Sequence, residues 1–472
     1  MELQDIIEEK EAKIKDLEQE NAMLKKLIFG SRSERHKSTP VASNQLNMFV
    51  DLEEAEQEVE EPTTQVKGYT KKKSHPGRQA LPDHLPVEEV VIEPEEDTSG
   101  MEKIGAHVTE VLDYTPALLI RRRYIRPKYA RPEGGILIAD MPDRPLPKSI
   151  AEAGLLTHIA VSKFVDHQPF YRQIEGFKRD HQIKIPSSTL NDWFAATCTL
   201  LEPLYNKLKE KLLDTDYLQA DESPIKVLDK TKSGTTHQGY QWVYHDPLQK
   251  LILFDYRKGR GMHGPKEMLK DYSGVLQCDG YTVYDKIAKK GNIKIAGCLA
   301  HVRRKYVEAK DSDAKRATKA LDIFTAIYTH EKKAKASEDR LGYRKAHMLP
   351  LMESLREWID EQSIEVLPKS PIGKAMTYTI NQWEKLMLIF TKEDIELDNN
   401  LIENKIRPLA LGRKNYLFAG SHKGAERIAL MYSLFATCKA NNVNPADWMN
   451  ETLRKIGSTS MKDLEQLLPN IG

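Results

Sequence analysis

Tyr217-Leu218-Gln219-Ala220-Asp221-Glu222 is the stretch whose reading decides the fold. It is a short apolar run of strand length that ends on an acid. A second run, Val275-Leu276-Gln277-Cys278-Asp279, ends the same way, with Gly280 and Tyr281 after it. Strand ends in an α/β sheet are where ligands gather, so Asp221 and Asp279 are expected at one site. A third acid, Glu403, lies within Asp398-Asn399-Asn400-Leu401-Ile402-Glu403-Asn404-Lys405-Ile406-Arg407-Pro408, which reads as a short helix opened by Asx residues. On that helix Asn400, Glu403 and Arg407 share one face, and Ile402, Ile406 and Leu409 share the opposite one. Taken singly, each acid reads as a solvated or capping residue. Brought together, three acids repel one another unless cations sit between them, which points to a divalent-metal site. Two hard cations held by carboxylates suit in-line phosphoryl transfer.

Working outward, strand candidates are Tyr217–Ala220, Gln241–Tyr244, Leu251–Tyr256, Gly274–Cys278 and Ile293–Cys298. Asp246-Pro247-Leu248-Gln249-Lys250 joins the second to the third as a hairpin turn. Three meandering strands, a helix near Pro265–Lys270 and then further strands predict an RNase-H-like mixed sheet over 211–300. Residues 301–395 have helical periodicity almost throughout and read as a large all-helical insertion. Residues 396–440, with Glu403, resume the core, and 441–472 close with helices. The fold class is multidomain α/β.

Upstream, residues 1–29 read as a coiled coil. Ile7, Ile14, Asn21 and Ile28 fall at a, with Leu3, Lys10, Leu17 and Leu24 at d. A single Asn at a, flanked by Ile at a and Leu at d, favours a parallel pair in one register. A lone amphipathic helix packed on its own domain fits the same pattern. Residues 30–85 are a charged linker, rich in Ser, Lys, Glu and Pro and poor in aromatics. Residues 86–146 alternate in short β-like runs and predict a small β-rich module. Residues 147–210 turn helical: Ile150–Val161, a helix begun at Pro169-Phe170, and a third with Ser187 as N-cap. Short helices joined by tight turns fit a helix-turn-helix, and equally an ordinary helical hairpin.

The chain has 472 residues and a formal net charge of +1, so no global field marks a partner. Residues 121–131 hold six bases and no acid. With Tyr and Ile interleaved, Arg121, Arg122, Arg123 and their followers read as a phosphate-tracking strand or as a solvated face. The four cysteines, Cys198, Cys278, Cys298 and Cys438, show no Cys-x-x-Cys pair, so neither a disulfide framework nor a zinc knuckle is expected. With no signal-peptide core and no apolar run of spanning length, a soluble cytoplasmic protein with no membrane partner is expected.

His301, Arg304 and Lys305 fall on a helical face after Cys298, beside Arg303. They read as a His near a reacting phosphate with bases clamping the backbone, or as a solvated helix start. Arg413-Lys414-Asn415-Tyr416-Leu417-Phe418-Ala419-Gly420-Ser421, followed by Arg427, could grip a phosphodiester and stack a base. Tyr416 and Phe418 could equally be core residues alternating on a strand. A carboxylate-pair glycosidase is disfavoured, because no Trp lies beside any of the three acids.

Leu218-Gln219-Ala220-Asp221-Glu222, Cys278-Asp279-Gly280-Tyr281, Cys298-Leu299-Ala300-His301-Val302-Arg303-Arg304-Lys305, Leu397-Asp398-Asn399-Asn400 and Gly412-Arg413-Lys414-Asn415-Tyr416 occur in that order. The set strongly resembles bacterial transposases named after insertion sequence 66, over nearly the whole chain. The resemblance implies an acidic-triad (DDE-type) recombinase with Asp221, Asp279 and Glu403 as the triad and as metal ligands. It implies two Mg2+ ions, with Mn2+ as a substitute, and a helical insertion before the Glu. It also implies DNA as partner (terminal inverted repeats and target), an oligomer joined through residues 1–29, and small accessory proteins of the same element. The family's paired cysteines after the linker are missing here; Glu96-Asp97-Thr98-Ser99 and Tyr129-Ala130-Arg131-Pro132 stand in their place, so a zinc-free version of that module is expected. The alternative is a DNA-binding derivative that no longer transposes.

Overall fold

The computed structural model describes Leu81 and residues 85–115, 118–228, 235–289 and 292–469. The expected coiled coil of residues 1–29, and the linker apart from Leu81 and Leu85, lie outside the described residues.

Strands β1 (Val87–Val91), β2 (Glu102–Thr115), β3 (Leu118–Ala130) and β4 (Ile136–Ile138) form the first sheet. β3 is its centre, parallel to β1 and antiparallel to β2 and β4. This register places Glu88 opposite Arg122, and Glu89 and Glu110 opposite Arg123. Opposite charges facing one another across strands stabilise a sheet. Arg122 pairs with Glu88 at 3.1 Å and with Asp113, and Arg123 pairs with Glu89 at 3.0 Å and Glu110 at 3.1 Å. Arg121 is buried and donates to the Leu81 carbonyl at 3.1 Å. The run is a strand as read from sequence, and its arginines are engaged there: the flanking strands supply the acids that the run itself lacks.

Helices α1 (Ala153–Phe164), α2 (Phe170–His181) and α3 (Ser187–Leu213) follow. Apolar residues at helical spacing fix α3: Leu190, Trp193, Phe194, Leu201, Leu204, Leu208 and Leu212 are all buried. Its first residue is Ser187, with Pro186 in the N-cap position, one place earlier than the side-chain rule predicts.

The second sheet contains β5 (Tyr217–Leu228), β6 (Thr236–Asp246), β7 (Leu251–Arg257), β8 (Gly274–Gln277) and β9 (Ile293–Ala296). Their spatial order is β7-β6-β5-β8-β9. β5, β6 and β7 form an antiparallel meander, and β8 and β9 run parallel to β5 and to each other. Short helices α4 (His263–Met268) and α5 (Thr282–Ala288) make the connections. β5 runs seven residues past Asp221 to Leu228, so Asp221 lies within a strand rather than at its end. β8, by contrast, stops pairing with β5 at Gln219 opposite Gln277. Beyond that point one edge of β5 is open, which is why Pro224 is tolerated: its missing N–H faces the open side, where its carbonyl accepts from Arg413.

Five helices form the insertion: α6 (Leu299–Ala309), α7 (Ala314–Ala334), α8 (Arg340–His347), α9 (Leu349–Ser363) and α10 (Pro371–Met387). They bury a second core around Tyr306, Phe324, Ile327, Leu355 and Met376, which Tyr217, Val275 and Ala296 of the sheet join. Arg344 is fully buried there and grips Glu331 with two bonds, at 2.8 and 2.6 Å. It also donates to the carbonyls of Ile389 and Glu393, both at 3.2 Å, which ties down the chain as it leaves the insertion. The chain then enters α11 (Asn400–Tyr416), α12 (His422–Ala440) and α13 (Pro445–Lys455). α12 covers the edge strand β7: the Ser433 and Thr437 hydroxyls accept from the Phe254 and Ile252 amides at 2.7 and 3.1 Å. No helix among the described residues is long and apolar enough to cross a membrane.

Removing one partner of a buried ion pair leaves an uncompensated charge. Glu331→Ala should therefore destabilise the protein by about 3–5 kcal/mol, read as a lower urea midpoint. A change below about 1 kcal/mol would show that Arg344 does not depend on this carboxylate.

Candidate active site

Two hydrogen-bonded glutamines build the site. Gln219 on β5 lies opposite Gln277 on β8 in parallel register, so Asp221 and Asp279 each stand two residues further on. Gln219 and Asp221, two apart on β5, share a face, and Asp279 lies just past the end of β8, where the two strands part. The Gln219 and Gln277 side chains meet: the Gln219 amide donates to the Gln277 oxygen at 3.0 Å, and the Tyr217 hydroxyl donates to the same oxygen at 2.5 Å. Gln277 in turn donates to the carbonyls of Gly297 at 3.0 Å and Glu396 at 2.7 Å, and Gln219 lies 3.3 Å from the Asp398 carbonyl. His245 backs the cluster, 3.3 Å from the Gln219 oxygen. Burial, aided by the positive charge of Lys405, pushes its pKa down to about 3, so it is neutral, and the Nδ1 proton is assigned from a partner that can only accept.

This junction holds residues 396–398 over the two acids, and α11 starts immediately afterwards. Its Ile402 and Leu409 are buried, Ile406 is half-buried, and Asn400 and Arg407 are exposed, as the helical periodicity predicts. The helix does not stop at Pro408 but runs on to Tyr416. Its far end is also tied to β5, through paired hydrogen bonds of Ala419 with Lys226 and Leu228 at 2.8 and 2.9 Å. α11 is thus anchored at both ends, and Glu403, in its first turn, is presented towards Asp221.

The electrostatics reflect this gathering. The Asp221 carboxyl is pushed up to about 7, by burial first and also by the charges of Glu222, Asp279 and Glu403, against an opposing hydrogen bond from the Glu222 amide. The oxygen of Asp279 accepts from the Tyr281 amide at 2.9 Å. Nε2 of His301 lies 3.9 Å from Glu403, and its Nδ1 is buried without a partner. The neighbouring Glu222 is not free to join the three acids: Arg260 holds it at 2.5 Å, and Arg260 stacks over Tyr281, 4.3 Å from the ring centre. Three carboxylates offer hard oxygen donors, and their mutual repulsion is what a divalent cation relieves. Among the described residues, no three His, Cys, Asp or Glu side chains stand close enough as placed to share one ion.

The other residues singled out by sequence are dispersed. Arg303 and Arg304 project from α6 beside the head of α11. Lys305 is paired with Glu308 at 2.9 Å. Arg407 and Lys414 are exposed on α11. Arg413 is half-buried against β5, bonded to the Pro224 carbonyl. Arg427 lines a separate cavity of about 200 Å³ with Glu202, Asp255 and Glu426, away from the three acids. The strand expected to carry Tyr416 and Phe418 is a helix end followed by a turn, with Leu417 left-handed at φ 61°. Sequence reasoning missed Tyr217, Gln219, Gln277 and His245. The signal was present: Leu218-Gln219-Ala220-Asp221 and Leu276-Gln277-Cys278-Asp279 repeat one Leu-Gln-x-Asp pattern.

The chain belongs to the insertion sequence 66 transposase family: the model described as "Transposase IS66 family" matches residues 148–427, and "IS66 C-terminal element" matches 433–470. The N-terminal part, residues 16–90, matches "Transposase C of IS166 homeodomain". Among its relatives are two proteins of Sinorhizobium fredii (strain NBRC 101917 / NGR234). Uncharacterized protein y4jD is 30% identical, over 98% of this chain and 96% of its own length. Uncharacterized protein y4qI is 31% identical, over 95% of this chain and 87% of its own length.

Two consequences can be measured. A carboxyl whose affinity for its proton is raised by folding carries no penalty below its ordinary value of 3.8, and the full penalty above its folded value of about 7. The metal-free protein should therefore lose stability as pH rises from 4 to 8. Asp221→Asn should melt higher than the parent at pH 8 in EDTA and equally at pH 4; parallel melting profiles would refute this. Separately, Gln277→Leu leaves the Glu396 and Gly297 carbonyls without this donor. Each group so orphaned should cost about 1–3 kcal/mol in chemical denaturation, and a neutral substitution would show that the junction is dispensable.

Proposed function

We propose that this chain is a DNA transposase of the DDE type, cutting at the ends of its element and joining them to target DNA. Its core is read as RNase-H-like, a reading supported by the sheet order β7-β6-β5-β8-β9 with three antiparallel and two parallel strands. The observation that supports the assignment is the Gln219–Gln277 register, two residues before Asp221 and Asp279, together with the action of the Asp279 and Glu403 charges on the Asp221 carboxyl. In this reading the three carboxylates hold Mg2+, or Mn2+ in its place. Bound there, the metal supplies a Lewis acid that activates the attacking oxygen and offsets charge on the phosphate.

The protein's own groups do the rest. Asp221 is carried by β5, Asp279 by the segment just after β8 and Glu403 by the first turn of α11, so cation binding in this reading draws the three carboxylates closer together. His301 adds positive charge beside Glu403 when protonated. The Glu222–Arg260 pair keeps the adjacent acid out of the ligand set. The helices of 147–210 are read as contributing to recognition of terminal inverted repeats, and residues 1–29 as joining protomers. The domain division read from sequence stands as part of this proposal.

The test is Asp279→Asn on a supercoiled plasmid carrying the element ends. Cleavage in Mg2+ should fall by at least about a hundredfold, a bound set by losses at supporting residues of metal sites. Binding to end DNA in a gel shift should persist. A variant that cuts as well as the parent would refute the assignment.

A further inference from the structure

The helical insertion carries cations that the three acids do not account for. A groove of about 810 Å³ opens between α6 and α7 and reaches the head of α11. Arg303 and Arg304 line one wall, Lys332 the other, and Asn400 its end; no carboxylate is among the lining residues. Asp398, two residues before Asn400, is engaged: it accepts from the Tyr328 hydroxyl at 2.9 Å. The hydroxyls of Thr325 and Thr329 donate to their own helix, both at 2.8 Å, so the donors facing the groove are the three cations and the Asn400 amide.

The contrast within the same insertion is informative. Arg340 and Arg344 are sequestered against Glu331. Arg303, Arg304 and Lys332 are exposed, and none of them has an ion-pair partner among the described residues. Cations lining a concavity without acids concentrate positive potential there, and guanidinium forks match phosphate oxygens. Asn400 lies three residues before Glu403, on the same side of α11.

We propose that this groove binds the sugar–phosphate backbone of DNA and leads a strand to Glu403. The insertion is then a DNA-guiding element and not a spacer. The proposal rests on the transposase reading above and adds the path of the substrate.

Fluorescence anisotropy of the full chain with a labelled duplex of about 30 base pairs, in EDTA and across a salt series, tests it, because each phosphate contact contributes about 0.9 to the slope of log affinity against log salt. The triple variant Arg303→Ala, Arg304→Ala, Lys332→Ala should lower that slope by about 2–3 and weaken binding at low salt by roughly tenfold or more. Lys332→Gln alone should lower it by about 1. The control triple Lys310→Ala, Lys345→Ala, Lys374→Ala removes the same charge from exposed lysines of the insertion outside the groove and should change the slope far less. An unchanged slope in the groove variant, or an equal loss in the control, overturns the groove while leaving the transposase reading intact. A parent protein that binds no DNA at any salt overturns both.

Discussion

The whole site hangs on a junction of two buried primary amides. Gln219 and Gln277 satisfy each other, the Tyr217 hydroxyl and three backbone carbonyls in a place no water reaches. A buried polar group left without a partner is costly, so the junction has little freedom to slide. It fixes three things together: the parallel register of β5 and β8, the level at which Asp221 and Asp279 emerge, and the path by which the chain returns from the insertion. One hydrogen-bonded cluster thereby couples a sheet to a helix that begins 181 residues later in sequence than Gln219.

Charge is used in two distinct ways across the molecule. Arginines of the scaffold are neutralised where they stand. Arg122 and Arg123 meet acids on neighbouring strands, and Arg340 and Arg344 share Glu331. The candidate site does the opposite: the charges of Asp279 and Glu403 both act on the Asp221 carboxyl. Burial first, and like charges after it, raise the proton affinity of Asp221, and Arg260 pairs with the adjacent Glu222.

Much of the fold was legible from local pattern. The hairpin after Asp246, the strands around Leu253 and Leu276, and the continuous helical texture after His301 all follow from periodicity and turn residues. Glu403 was legible as a presented side chain because Ile402 and Leu409 dictate which face of α11 is buried. Two elements run longer than their patterns suggest: β5 continues past Asp221 to Leu228, and the helix carrying Glu403 continues past Pro408 to Tyr416. For the arginines of β3, the acidic partners lie on other strands, nine or more residues away along the chain.

Sequence alone determined the identity of the elements, the family motifs and the three acids worth watching, because periodicity, turn chemistry and motif order are all local properties. Only the tertiary structure decided which charges are neutralised, which remain available, and which register sets β5 beside β8. Those outcomes depend on hydrogen bonds and register between residues far apart in the chain, and no short window of sequence contains both partners.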